Sequence, residues 1–371
     1  MLRAMRPVSV RIMHPEPGPD AGPLTRWLAA ARAGLAERQR VAFLAAGATE
    51  ATILNGRPDG STFGERLQAM IRRDRPAGLV VLGSGSIPLA TQVDRRDLVR
   101  VAASDDRRAL ANDRFSADVV AIARTDDPVW TEGRRRAGDV PRARDSLAGL
   151  RSDNALPRWL AESAGYDVTD LRRRWRLAVD LDSPLDLVLT GDRSWAEAPV
   201  DLAPVRARMT AIRERAADRN AEVVLSGRTS AATVGWIERH TASRTRAFIE
   251  ERGLRTSRPG QRPPASVLGA LLDRDGPEAL GSMLAALGEA AVIDSRVLLA
   301  HRLGPDEDLW PRPEDRFASD LLLPGSVVDP WLRALTTAAA EAPIPVLLGG
   351  HSLVGPGLRL LLGTRPRARR R

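Results

Sequence analysis

The stretch Gly78–Thr91, GLVVLGSGSIPLAT, runs four apolar residues, Leu79 to Leu82, into a turn of Gly83, Ser84, Gly85 and Ser86. Gly83 and Gly85 allow close backbone approach, while the two serines offer hydroxyls and no charge. Such a turn at a strand end suits a neutral or phosphate-bearing ligand held through backbone N–H groups. Asn112 opens a second polar stretch with Asp113, Arg114 and Ser116. It stands at the start of a strand, where a base or substrate could be hydrogen-bonded; a solvated turn is the competing reading. Arg228 lies in VVLSGRTSAAT, a strand, small turn and helix start able to take a phosphate, but without P-loop spacing or its lysine. His351 follows an apolar strand in Gly349-Gly350-His351-Ser352, as a functional residue or as a turn histidine bonded to backbone. Asp180-Leu181-Asp182-Ser183-Pro184-Leu185-Asp186 sets acids before a helical proline, which is also ordinary N-cap chemistry. The other histidines are His14, His240 and His301. His301 and His351 with Asp294 and Asp320 have no metal-ligand spacing such as HExxH, and no G-x-S-x-G elbow points to hydrolysis.

The elements that must position these residues alternate along the first half. VSVRIM (8–13) reads as a strand, PLTRWLAAARAGLAERQR as a helix, and ATEATILNG as a strand. FGERLQAMIRRDRP is helical until Pro76. After the glycine turn comes a helix from near Asp94, then the strand ADVVAIAR. This order predicts an α/β layer with a mainly parallel sheet. Residues 125–153 read as an irregular insertion, and DVTDLRRRWRLAV as a helix followed by a short strand. The pattern lapses between Gly191 and Pro204, which places domains at 8–195 and 200–363 with a disordered arginine tail at 364–371. The second region reads as helix-rich, with strands at AEVVLSGR and IPVLLGG, a helical stretch from Val267 to Leu303, and Arg239, Arg244, Arg246 and Arg252 on a solvated helix face.

The chain has 371 residues, enough for two domains, with 43% apolar and only 4% aromatic residues. All 56 basic residues are arginine, and five sit in the tail from Arg365. Without those five the net charge falls from +9 to +4, so nucleic-acid contact is expected only as non-specific binding by the tail. The absence of cysteine and of long apolar runs excludes thiolate chemistry and membrane spans, and the cytoplasm is the expected compartment.

The glycine turn and the later acidic turn together resemble the glycosyltransferase-A-like nucleotidyltransferase superfamily, as in molybdenum-cofactor and phospholactate guanylyltransferases. Gly85-Ser86-Ile87-Pro88-Leu89 is similar to that family's Gly-Asp-x-Pro-Leu turn, and Asp180–Asp186 to its Asp-x-Asp-Thr-Pro-x-Asp turn. The resemblance covers about residues 8–190. It implies a nucleotide-diphospho-sugar transferase-like fold and transfer of a nucleotidyl group from an NTP to a small phosphorylated or carboxylated acceptor. Asp180 and Asp182 would then hold Mg²⁺, with Gly83 to Ser86 along the phosphates and a nucleotide or small phosphorylated ligand as partner. Ser86 departs from the family pattern where it has a metal-binding aspartate, the family's glycine-rich loop after the first strand is missing, and no lysine exists to bind phosphate. These departures support the alternative, a catalytically degenerate nucleotide-binding or scaffold protein of the same fold.

Overall fold

In this computed structural model, the described residues are 6–57, 59–127, 129–132, 146–192, 194–254 and 262–363. The expected tail and the middle of the 125–153 insertion lie outside them. The chain forms two compact units, one of residues up to Gly18 with Ala29–Asp180, the other of Pro19–Leu28 with the chain from Leu181 onward. The division falls at Asp180, earlier than the lapse at 191–204. The helix after the acidic turn, Pro184–Thr190, makes its contacts with later helices of the second unit.

The first unit holds β1 (Val8–Pro15), α1 (Pro23–Ala45), β2 (Glu50–Gly56), α2 (Phe63–Asp74), β3 (Gly78–Gly83) and α3 (Gln92–Ala102). Then come β4 (Arg108–Ala111), β5 (Val119–Ala123), α4 (Val129–Glu132), α5 (Leu156–Glu162) and β6 (Asp167–Asp170). The six strands lie in the order β2-β1-β3-β5-β4-β6. All pairings are parallel except those of β5, which runs antiparallel to β3 and β4. β3 is an inner strand, as its unbroken apolar run requires of a strand covered on both faces. One face packs on α2 and on Leu156, Trp159 and Leu160; the other packs on α1 and α3. Few aromatics are available, and Trp130, Trp159 and Tyr166 are gathered in the first of these cores. Two short strands, β4 and β6, escape the sequence pattern. The helix expected over 167–176 is β6 followed by a turn of 3-10 helix at Trp175–Ala178, because Val168 and Thr169 complete the sheet beside β4.

The second unit holds α6 (Pro184–Thr190), α7 (Ala203–Ala216), β7 (Glu222–Gly227), α8 (Ala231–His240), β8 (Arg244–Ile249), α9 (Val267–Asp275) and α10 (Leu280–Ala285). β9 (Ala290–Asp294), α11 (Ser295–Leu303), α12 (Pro313–Asp320), α13 (Pro330–Ala340), β10 (Val346–Gly349) and α14 (Leu358–Leu362) complete it. Its strands form a parallel sheet in the order β10-β9-β7-β8. The unit is helix-rich around this sheet, as expected, but two of its strands, β8 and β9, were not anticipated. β9 lies inside the stretch expected to be helical, since Ala-Ala-Val-Ile is a short apolar run whose periodicity cannot separate strand from buried helix. Arg244 and Arg246 sit on the edge strand β8, whose mostly exposed side chains explain its charge. Pro19–Leu28 belongs with this unit through Glu314, which accepts from the N–H groups of Leu24 (2.9 Å) and Thr25 (3.0 Å) and from the Thr25 hydroxyl (2.8 Å). Among the described residues no helix is long and apolar enough to cross a membrane.

Candidate functional site

In the first unit the chain steps from β1 to β2 on one side and returns to β3 on the other. The strand order therefore reverses between β1 and β3, where open α/β sheets leave a crevice at the carboxyl ends. His14 stands at the end of β1, and Gly83 to Ser86 follow β3. His14 Nδ1 lies 3.0 Å from Ser84 Oγ. Burial lowers the His14 pKa, the charge of Arg32 adds to that, and Glu16 opposes it, so the ring is neutral at neutral pH. Ser84 and Ser86 are almost fully buried while His14 is half-buried. His14 is thus the group a ligand would meet first. Sequence reading passed it over, because its partner is 70 residues away.

The turn itself is fixed. Ser84 N–H donates to Met13 O (2.8 Å) and Ser86 N–H to Gly83 O (3.1 Å), so these two N–H groups are not available to cradle a ligand. Ile87 is fully buried with φ +48, a left-handed conformation that costs a β-branched residue of order 1–3 kcal/mol. The buried Gln39 amide holds it by donating to Ser86 O (3.2 Å) and Ile87 O (3.1 Å), and Arg95 Nε donates to Gln39 Oε1 (2.8 Å). Behind the turn, Asp94 caps α3 and takes Arg174 (2.8 Å) and Arg176 (2.6 Å). Burial alone would raise its pKa; hydrogen bonds from Thr91, Arg176 and Arg174 outweigh that and hold it at about 2. With Arg174 also on Asp97 (2.8 Å) and Arg172 on Asp170 (2.7 Å), three of the four arginines in Arg172-Arg173-Arg174-Trp175-Arg176 are ion-paired.

The other expected residues fall in different places. Asn112 is buried and its amide is filled: Nδ2 donates to Asp118 Oδ2 (2.8 Å) and Leu177 O (3.0 Å). Its Oδ1 accepts from the N–H groups of Asp118 (2.9 Å) and Val119 (3.3 Å). Asn112 therefore ties the β4–β5 turn to the chain at Leu177 and has no atom left for a ligand. Asp180 is half-buried and forms an antiparallel bridge with Ser86. Asp182, exposed, is in the second unit, where the Asp186 carboxylate accepts from the N–H groups of Asp182 (2.9 Å) and Ser183 (2.7 Å). Much of the acidic turn is thus cap chemistry for α6. The Mg²⁺ that the resemblance implies does not fit these donors. Ser86 offers a hydroxyl where a hard cation needs a carboxylate, and among the described residues no three His, Asp or Glu side chains gather as ligands.

Arg228 and His351 stand at the carboxyl edge of the second sheet, whose strand order reverses between β7 and β9. Arg228 grips Asp294 through Nε (2.6 Å) and Nη2 (3.0 Å). Gly227, with φ +125, allows this approach, since a Cβ there would run into the Asp294 side chain. Arg296 forks onto Asp320 with two 2.6 Å bonds and donates to Ser295 Oγ (2.9 Å). Burial lifts the Asp294 carboxyl, but Arg228 outweighs it and the net shift is down, with His351 and Arg296 adding to the effect. Burial pushes Asp320 above its usual range, with Arg296 and Ser183 offsetting part of the rise.

No protein-family model and no curated protein matches the sequence. Among solved structures, the chain is similar to a protein from Desulfovibrio desulfuricans G20 named provisionally as a nucleotide-diphospho-sugar transferase. The likeness has 13% identity and a TM-score of 0.29, over 57% of this chain and 98% of that one. A TM-score that low establishes no shared fold.

Proposed function

We propose that the first unit binds a nucleotide or small phosphorylated ligand at the crevice between β1 and β3, without a carboxylate-held metal. It is then a degenerate relative of the nucleotidyltransferases its motifs resemble. The observation that carries this reading is the Gly83–Ile87 turn. A strained residue is pinned by Gln39 at the strand end where such folds take ligands, and the groups beside it, His14, Ser84 and Ser86, are uncharged. His14 donates or accepts one hydrogen bond through Nε2, and Arg32 beside it supplies positive charge for a phosphate. Active nucleotidyl transfer is the second reading, favoured by the exposed Asp182 and half-buried Asp180 on either side of the buried Leu181.

Calorimetric titration of each NTP, with and without Mg²⁺, separates the two. Metal-independent binding that His14→Ala weakens is the expected result, and ligand at about 100 times its Kd should add about 2.7 kcal/mol of stability. Binding that requires Mg²⁺ and disappears in Asp182→Ala would replace this reading with the transferase.

A further inference from the structure

The second unit has a feature that nucleotide binding in the first unit does not use. Its carboxyl edge buries two arginine–aspartate pairs around one point, the end of β9. Asp294 accepts from the Arg228 guanidinium and from the Arg296 backbone N–H (3.2 Å), while Arg296 turns its guanidinium to Asp320. A buried ion pair is weak support for stability, since well-packed apolar residues often serve as well. Two of them at a topological switch point call for another role.

We infer that this edge is an anion site for the phosphoryl group of a small molecule. The donors decide the chemistry. Asp294 occupies Nε and Nη2 of Arg228, and Asp320 occupies Nη1 and Nη2 of Arg296. Among the described residues, Arg228 Nη1 and Arg296 Nε have no hydrogen-bond partner, and neither is among the buried atoms lacking one, so both reach solvent. Arg228 therefore keeps the N–H groups of Nη1 and Arg296 keeps its Nε–H, so two separate guanidinium groups still offer donors. A single fork satisfies one planar carboxylate; a tetrahedral phosphoryl group, with oxygens in several directions, can accept from both side chains at once.

Two further observations agree. Thr229 Oγ1, next to Arg228, is fully buried and has no partner, the kind of orphan group that a ligand oxygen satisfies. Gly350, after β10, leaves room on the other side: a Cβ there would meet only Arg296 Cγ and Nε, at 4.0 Å. The titratable neighbours of the cluster are His351, which is exposed, the buried Asp186 and the half-buried Arg316.

The probe is inorganic pyrophosphate, titrated calorimetrically into the full chain. Arg228→Gln is the obvious variant, but it strands Asp294 and can fail to fold. Gly350→Asp avoids this, because it sets a carboxylate beside Arg296 in open space. The expected result is saturable binding by the wild type, weakened at least about tenfold in Gly350→Asp with an unchanged melting midpoint. Absence of saturable binding, or equal binding by Gly350→Asp, would overturn the inference. Citrate binding as tightly as pyrophosphate would overturn the phosphoryl assignment. Loss of pyrophosphate binding in Ser84→Ala, with Gly350→Asp unaffected, would move the ligand to the first unit and also overturn it.

Discussion

The two sheets order their first three strands alike, with the second strand, the first and the third as neighbours, and each reverses between its first and third strand. At that reversal the first unit presents His14, Ser84 and Ser86, while the second presents Arg228, Asp294, Arg296 and Asp320. The same topology thus carries a neutral edge and an ionic one. Strand order determines where a ligand can sit; the residues at the strand ends determine which ligand. Apart from Arg32 and Glu16, whose charges act on His14, the first unit's ion pairs near the turn lie behind it, at Asp94 with Arg174 and Arg176. The second places charge at the edge itself. That should make the ionic edge brittle and the neutral edge tolerant of substitution.

Arg296→Ala tests the brittle side and should have the largest effect. It leaves the fully buried Asp320 without its fork, so urea denaturation should register a loss of about 3–5 kcal/mol. A loss below about 1 kcal/mol, the range of a surface pair, would erase the contrast.

Acid should find the charge stored in the first unit. Asp94 is held at about 2, below the ordinary 3.8. Its contribution is complete above about pH 4 and is lost as pH falls through 2, a change of about 2 kcal/mol. Denaturation midpoints followed across that window should flatten in Asp94→Asn, which has no carboxyl to titrate there. An unchanged slope would show that other carboxylates carry the acid sensitivity.

Ser84→Ala should cost least. It removes one hydrogen bond to a half-buried ring, about 0.5–1.5 kcal/mol at most. In the wild type His14 should titrate below the usual histidine value, as NMR of the ring would show, because burial disfavours its charged form. The stability that this shift contributes is present above the unfolded value of 6.5 and is lost as pH falls through the lower folded value. An ordinary His14 pKa would mean that the crevice is wetter than its burial indicates.

Much of the first sheet was legible because its strands are apolar runs separated by amphipathic helices, and the glycine turn marks the end of β3. What escaped was short or charged. β4 and β6 have four residues each, and β8 carries arginines because its edge position exposes them. The site was legible in part. Gly83 to Ser86 could be placed from local pattern, whereas Asn112 carries no local mark separating a ligand contact from a turn lock. Arg228 was visible as a basic residue in a phosphate-type turn, but its partner Asp294 is 66 residues on. The choice between metal site and helix cap at Asp180–Asp186 needed the Asp186 hydrogen bonds to lean toward the cap.

The carboxylate of Glu314 on Leu24 and Thr25 has a consequence for how the chain is made. The first turn of α1 leaves the ribosome 289 to 290 residues before the side chain that accepts its N–H groups. At roughly 5–20 residues per second, that turn waits about 15–60 s during translation before this bond can form. Stalling the ribosome just before codon 314 should therefore leave residues 19–28 open to proteolysis in the nascent chain while the strands of the first sheet are already protected.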